Sequence, residues 1–286
     1  MKNQAESGAW VSIGAYILLS LFKISMGLYT GSQALTADGL NNVTDIIAST
    51  GVLIGLKISR KPRDDDHPYG HSRAESISAL IASFIMATIG LQVLGDAIQS
   101  AWLGQAIAPN ALAAAVALVS ALVMFGVYAF NRRLADKTNS HALSAVSKDN
   151  LSDALISIGA AVGIIGSQFG MPWLDPVAAV IVSFLILKTA WEIFAEMSHL
   201  LTDGFQPKRL VQYRETMEQT DGVLAVVDLK GRMQGHDIIL DAVIEMDARL
   251  SVEESHQITE ELEQVMREKH HVKVTHIHVE PDSPES

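Results

Sequence analysis

"SKDNLSDALISIGAAVGIIGSQFGMPWL" (residues 147–174) sets Asp149 and Asp153 four apart and then runs from Ala154 to Leu174 without a charge. A bilayer core of roughly 30 Å takes about 20 helical residues at 1.5 Å each. The stretch therefore reads as a membrane span with two carboxylates at its head. Composition agrees: of 286 residues, 49% are hydrophobic and 19% charged, and mean hydropathy is +0.24. That is richer in apolar residues and poorer in charge than an ordinary soluble domain.

Outward from this stretch, segments at about 9–30, 34–57, 76–101, 110–130, 143–168 and 174–196 reach spanning length, which predicts six transmembrane helices. In "GMPWLDP" (170–176), Gly170, Pro172 and Pro176 break one apolar run into the last two spans. Between spans 2 and 3 lie Lys57, Arg60, Lys61, Arg63 and Arg73; between spans 4 and 5 lie Arg132, Arg133, Lys137 and Lys148. The connections "TGSQA" (30–34), "LGQAIAPN" (103–110) and "GMPWLD" (170–175) carry neither Lys nor Arg. The positive-inside rule then expects both termini in the cytoplasm. The first apolar segment has no small-residue cleavage pattern ahead of a soluble domain, so it reads as a retained span.

Several classes drop out. A net charge of -11 with no basic stripe gives nucleic acid nothing to bind. Absence of cysteine removes disulfides, thiolate metal sites and thiol nucleophiles. No internal repeat or low-complexity tract stands out.

After about residue 204 the pattern changes, with "DGFQPKR" (203–209) as linker, so the expected domains are 1–203 in the membrane and 204–286 in the cytoplasm. "KRLVQYRETMEQT" (208–220) reads as a helix, and "VLAVVDLKGRM" (223–233) and "HDIILDAVIEMD" (236–247) as strands around a turn at "QGHD". "SVEESHQITEELEQVMREKH" (251–270) reads as an amphipathic helix opened by a Ser-x-x-Glu capping box. "VKVTHIHVE" (272–280) is a last strand, and "PDSPES" a frayed tail. The fold class is thus an α-helical membrane protein with a small cytoplasmic α+β domain of order αββαβ.

An ionised Asp at mid-membrane costs about 3 kcal/mol on insertion scales, so such residues face a cavity or a partner. In "TADGLNNVTD" (36–45), Asn41 and Asp45 are four apart, about 40° around a helix and about 6 Å along it, with Asp38 one turn further out on the same face. Asp149 and Asp153 repeat the spacing, and Asp45 and Asp153 lie at about the same depth when counted from the cytoplasmic ends near Lys57 and His141. One compact site can collect Asn41, Asp45, Asp149 and Asp153. Its charge, about -3, calls for a cation, and oxygen-only donors favour Mn²⁺, Mg²⁺ or Ca²⁺ over Zn²⁺. The bland alternative is that each Asp caps a helix or faces headgroups.

Two further clusters stand outside the spans. In "RDDDHPYGHSRAE" (63–75), His67 and His71 are four apart beside Asp64, Asp65 and Asp66, a spacing able to chelate a metal. With Pro68 and Gly70 it also reads as a solvated turn. "THIHVEP" (275–281) puts His276, His278 and Glu280 on one strand face, as donors or as an exposed polar face. His270 and His271 at a helix end read as serving the helix dipole or solvent.

With its paired polar residues in spans 2 and 5, its acidic-histidine loop and its αββαβ tail, the chain resembles the cation diffusion facilitators along nearly its whole length. The resemblance implies a homodimeric exporter of divalent metals in exchange for protons, not an enzyme. It implies a metallochaperone-like, ferredoxin-like cytoplasmic domain and no prosthetic group, the metal being substrate and, in the cytoplasm, regulator. The family's transport site falls on Asn41, Asp45, Asp149 and Asp153. Zinc-transporting members typically have His where this chain has Asp149, and Asp where it has Asn41, so the set resembles the manganese-type branch. An accessory loop site would map to Asp64, His67 and His71. Metal sites at the cytoplasmic dimer interface would map to Asp228, Asp241, His256, His278 and Glu280, several of which lack the His of the zinc pattern. Arg73 and Asp203 resemble a charge interlock across the dimer.

The implied mechanism is alternating access: Mn²⁺ enters from the cytoplasm, protons compete for the carboxylates, and Asp38 guides the leaving ion outward. A compact chain suits a bacterial plasma membrane. Zn²⁺, Fe²⁺ or Co²⁺ as main substrate stays open, as does a membrane-anchored metal sensor. An intramembrane aspartyl protease would need a Gly-x-Gly-Asp surround that the sequence lacks.

Overall fold

The computed structural model describes residues 2–102, 109–138, 141–235 and 237–282. Most of the expected 103–110 loop, His236 of the expected turn, and the tail from 283 lie outside these residues.

Six long helices come first: α1 (Lys2–Thr30), α2 (Gln33–Ser59), α3 (Ala74–Trp102), α4 (Ala111–Thr138), α5 (His141–Gln168) and α6 (Leu174–Leu201). Among the described residues five carry stretches long and apolar enough to cross a membrane: Trp10–Thr30, Ala74–Trp102, Ala111–Lys137, Val146–Gln168 and Leu174–Leu201. α2 is long enough at 27 residues, but Asp38, Asn41, Asn42 and Asp45 lower the hydropathy of its first half. The fold is a helical membrane domain of five to six apolar helices followed by a small α+β domain.

Contacts divide the chain into two compact units, Met1–Val52 with Ile81–Phe194, and Leu53–Leu80 with Ala195–Ser286. In the first, α4 packs along α5 and α1 packs against both. The interior is built from small residues, among them Ala34, Ala113, Ala117, Ala160 and Ala161 around Leu35 and Ile164. Lipid tails are as apolar as the helices, so close backbone approach and polar contacts take over from the hydrophobic effect in holding such helices together. Gly39 shows the requirement: a Cβ there would meet Ile24 Cγ1 at 2.7 Å, so α1 and α2 close only over glycine. Leu18, Leu21, Leu91, Leu122, Phe184 and Trp191 face outward, where acyl chains replace water.

Asp175, in the first turn of α6 and 2% exposed, caps α2. Its carboxylate accepts from Ser32 Oγ at 2.6 Å and from Gln33 N–H at 2.7 Å. A helix N-terminus leaves N–H groups unsatisfied and carries partial positive charge, so a carboxylate from a neighbouring helix fixes where α2 begins.

In the second unit, α7 (Pro207–Glu218), β1 (Ala225–Gln234), β2 (Asp237–Met246), α8 (Val252–His270) and β3 (Val274–Pro281) give the order αββαβ. Strand order is β1-β2-β3, with β1 antiparallel and β3 parallel to the central β2. The parallel pair needs a crossover, which α8 supplies. Pro207 opens α7, where a missing N–H is harmless. The expected capping box is made: Ser251 Oγ accepts from Glu254 N–H and Glu254 accepts from Ser251 N–H. One sheet face, with Leu229, Leu240, Ala242, Ile244 and Met246, buries against Tyr213 and Met217 of α7 and Leu262 and Met266 of α8. A bulge between Val226 and Asp228 resets the alternation, so that Val226 and Leu229 both point inward. Asp228 then turns outward, beside Lys230 and Arg232.

Candidate metal-transport site

α2 and α5 meet at the expected residues. Asn41 Nδ2 donates to Asp153 Oδ1 at 3.1 Å, joining two helices across 112 positions of sequence. Asp153 is 5% and Asn41 7% exposed. Asp45 follows one turn along α2, half-buried, and its buried Oδ2 has no hydrogen-bond partner among the described residues. The charges acting on it include the like-signed Asp153 and Asp149 and, more weakly, Lys23. Asp149 stands one turn before Asp153 on α5 and is exposed. Asp45, Asp149 and Asp153 do not bring one oxygen each within 4.8 Å of one another; a buried carboxylate oxygen without a donor, with like charges near it, is the feature that a cation would complete.

Residues outside the expected set close the site. The Tyr16 hydroxyl of α1 donates to Asp153 Oδ2 at 2.9 Å, and Asn150 Nδ2 donates to that hydroxyl at 2.9 Å. Asn150 Oδ1 in turn accepts from Asn131 Nδ2 at 2.8 Å and from Ser12 Oγ at 3.1 Å. A second buried network lies alongside: Lys23 Nζ donates to Asp38 Oδ1 at 2.9 Å, Asn42 Oδ1 at 2.8 Å and Ser157 Oγ at 2.9 Å. Asp38, expected to guide a leaving ion, is 0% exposed and paired with this lysine. The missed residues do leave a trace in the sequence. Ser12, Tyr16 and Lys23 recur at helical spacing on α1, as do Asn150, Asp153 and Ser157 on α5.

The loop cluster converges more tightly. Asp64, His67 and His71 bring one ligand atom each within 4.8 Å of one another. Asp64 Oδ1 lies 3.0 Å from His67 Nδ1, and Asp64 Oδ2 lies 3.4 Å from His71 Nε2. Desolvation pushes the Asp64 carboxyl up, but hydrogen bonds from the His67 ring and backbone, with the charges of His67 and His71, together outweigh it, and its pKa lies below the usual value.

On the outer sheet face, Asp228, Asp241, His276 and His278 line one groove of 280 Å³. Side chains of the same face already occupy the carboxylates. Lys230 donates to Asp228 at 2.5 Å, Arg232 to Asp241 at 2.6 Å, and His276 Nδ1 lies 2.9 Å from Asp241. The Lys230 hydrogen bond holds the Asp228 carboxyl below its ordinary range. Glu280 lies further along β3, 3.9 Å from His278. His256 sits on α8, 3.5 Å from Glu260 and not among the groove's lining residues. Arg73 donates to Asp203 at 2.6 Å within the chain.

Comparison with known proteins agrees with this architecture. The cation efflux transmembrane domain matches residues 9–202, and the cation efflux protein cytoplasmic domain matches residues 206–282. The manganese efflux system protein MneS of Bacillus subtilis (strain 168) is 50% identical over 279 residues, covering 98% of this chain and 96% of that one. MneP of the same organism, also a manganese efflux system protein, is 31% identical over 96% of this chain and 95% of its own. The magnetosome protein MamM of Magnetospirillum gryphiswaldense is 33% identical over 90% of this chain and 81% of its own. Among solved structures, the copper form of the MamM C-terminal domain is similar at 27% identity over 27% of this chain and 76% of that one, with a TM-score of 0.26. Matched by both domains of one architecture and by relatives along nearly its whole length, the chain belongs to the cation efflux, or cation diffusion facilitator, family and is a multi-pass membrane transporter that exports metal cations.

Proposed function

We propose that the protein exports Mn²⁺ from the cytoplasm in exchange for protons, by alternating access in a homodimer, with Asn41, Asp45, Asp149 and Asp153 holding the ion in transit. The observation that carries this reading is the α2–α5 meeting of Asn41 and Asp153 beside the unpartnered oxygen of Asp45. Every donor there is oxygen, the chemistry of a hard divalent ion. Two full-length relatives named as manganese efflux proteins support the same ion. In this reading residues 1–203 carry transport and 204–286 form a cytoplasmic domain through which the two subunits pair, in a bacterial inner membrane with both termini inside. Asp64, His67 and His71 hold an accessory ion at the cytoplasmic surface. Asp228, Asp241, His276, His278 and Glu280 form a weaker regulatory site, because a metal must displace Lys230 and Arg232.

Protons and metal compete for the same carboxylate oxygens, so loading one releases the other, and the inward proton gradient drives the exchange. The test is uptake of Mn²⁺ against Zn²⁺ into proteoliposomes with an imposed pH gradient. Asp153→Ala is expected to abolish uptake, and Asp149→His to shift preference toward Zn²⁺. Normal Mn²⁺ transport by Asp153→Ala would remove the α2–α5 set from the mechanism. Binding without flux in the parent would instead make the protein a sensor.

A further inference from the structure

α1 supplies none of the ligands in the proposed site, yet it reaches Asp153 through Tyr16. The ring lies inside the bundle, 6% exposed, packed with Leu19, Met124 and Ala154. The direction of its hydrogen bonds is fixed from behind. Asn150 Oδ1 is occupied by Asn131 Nδ2 and Ser12 Oγ, so the Asn150 amide nitrogen faces Tyr16 and donates to the phenolic oxygen. The phenolic hydrogen is left to Asp153 Oδ2. On the other side, Asn41 Nδ2 donates to Asp153 Oδ1. Asp153 is thus held at both oxygens, by α1 on one side and α2 on the other, while standing on α5.

A carboxylate with a donor at each oxygen loses the freedom to rotate about its Cβ–Cγ bond. It still offers a free lone pair to a cation, but it resists swinging to present both oxygens at once. That restriction discriminates between ions. Ca²⁺ accepts six to eight oxygens in flexible geometry and readily takes carboxylates bidentate, whereas smaller divalent ions are satisfied by fewer, better-placed oxygens. Partners behind a ligand fix its orientation, and losing one typically costs about 10- to 100-fold in affinity or activity.

We propose that Tyr16 is a positioning and selectivity residue of the transport site: held by Asn150, its hydroxyl fixes Asp153 for one-oxygen contact with a small divalent cation. The inference rests on Asp153 being a ligand, as in the function proposed above. A bundle-stabilising role alone would also bury a Tyr–Asn–Asn–Ser network. The two roles differ in what they change: loss of packing lowers the number of working transporters for every ion alike, whereas loss of positioning changes one ion's KM relative to another's.

The experiment measures Mn²⁺ and Ca²⁺ uptake by proteoliposomes of the full-length protein, for the parent, Tyr16→Phe, Asn150→Ala, the double variant and Asp153→Ala. Tyr16→Phe removes only the hydroxyl. It is expected to raise KM for Mn²⁺ about tenfold, to raise KM for Ca²⁺ less or not at all, and to keep the maximal rate per folded transporter within about twofold. Asn150→Ala leaves the hydroxyl free to turn and should shift KM the same way, less strongly. If Asn150 acts through Tyr16, the double variant matches Tyr16→Phe instead of adding to it. An unchanged Mn²⁺ KM in Tyr16→Phe, or equal losses for both ions, overturns the inference while an inactive Asp153→Ala leaves the transport reading standing. Should Tyr16→Phe fail to fold, Asn150→Ala decides by the same KM ratio. A parent that moves no Mn²⁺, or an active Asp153→Ala, sinks both.

Discussion

Lys23 is the residue at which burial and charge conflict most directly. Its ammonium and the Asp38 carboxylate are both fully shielded, 2.9 Å apart. All three ammonium hydrogens have acceptors, in Asp38, Asn42 and Ser157. Asp38 Oδ2 and Asn42 Nδ2 remain unpartnered among the described residues, so the network is saturated at the lysine and incomplete around it. Removing one member of a buried ion pair is far more damaging than removing both, because the survivor's charge keeps its desolvation penalty. Lys23→Met should therefore destabilise the detergent-solubilised protein by about 3 kcal/mol or more, and Lys23→Met with Asp38→Asn should recover most of that. Equal melting temperatures for the single and double variants would mean that the pair is not the source of the loss. The sequence made Asp38 legible as a polar residue on the face of Asn41 and Asp45. It did not reveal the partner, since Lys23 sits in "LSLFKISMG" and reads as one charge in an apolar span. Tyr16 was hidden in part: its spacing with Ser12 and Lys23 marks one face of α1, but which residues of α5 that face meets depends on helix crossing, which no local pattern encodes. The spacing of the proposed ligands was legible because it lies within single helices.

The soluble elements illustrate the same division between local and tertiary information. The α8 capping box was readable because its two partners are three residues apart, and the strand alternation because it repeats every two. The bulge at Val226/Asp228 was not, since it answers to the register with β2. His270 departs from expectation most plainly. Placed at the end of α8, it was expected to meet solvent or the helix dipole. Instead its Nε2 lies 2.7 Å from Thr216 Oγ1 of α7, and its ring meets the edge of Tyr213 at 4.8 Å. The C-terminal cap is His271, in the left-handed region at φ 55°, with its N–H on Arg267. Burial pushes the His270 pKa below the usual 6.5, and Lys269, Arg209 and His271 push the same way. The native state then binds fewer protons than the unfolded chain near that pH. The stabilisation is complete above about 6.5 and is lost as pH falls through the native value. Melting measured from about pH 7.5 down to 5 should show a decline that His270→Gln, which keeps a side-chain amide for Thr216, makes shallower. Parallel pH profiles for the two proteins would assign the decline to other groups.

Across the whole molecule, the direction of transport depends on which side of the membrane the αββαβ domain occupies. Two arguments converge. Lys and Arg gather in the 57–73 and 132–148 connections and are missing from those at 30–34 and 170–175, from which the positive-inside rule predicts basic loops in the cytoplasm. Independently, the loop between α2 and α3 belongs to the same compact unit as the αββαβ domain. Gln234 Nε2 of the hairpin donates to Tyr69 O at 2.6 Å, and Gly235 packs against Ser72 so closely that a Cβ would lie 2.9 Å from it. A loop bonded to that domain lies on its side of the bilayer, so the prediction made for the loop extends to the domain. The chain has no cysteine, and single replacements therefore report position without background. Asp65→Cys in the exposed loop should react with a membrane-impermeant maleimide in inside-out vesicles and resist it in right-side-out vesicles; Met171→Cys between α5 and α6 should do the reverse. The opposite pattern would put the Asp64, His67 and His71 cluster outside the cell. There it could not collect cytoplasmic metal, and the order of loading at Asp45 and Asp153 would have to be inverted.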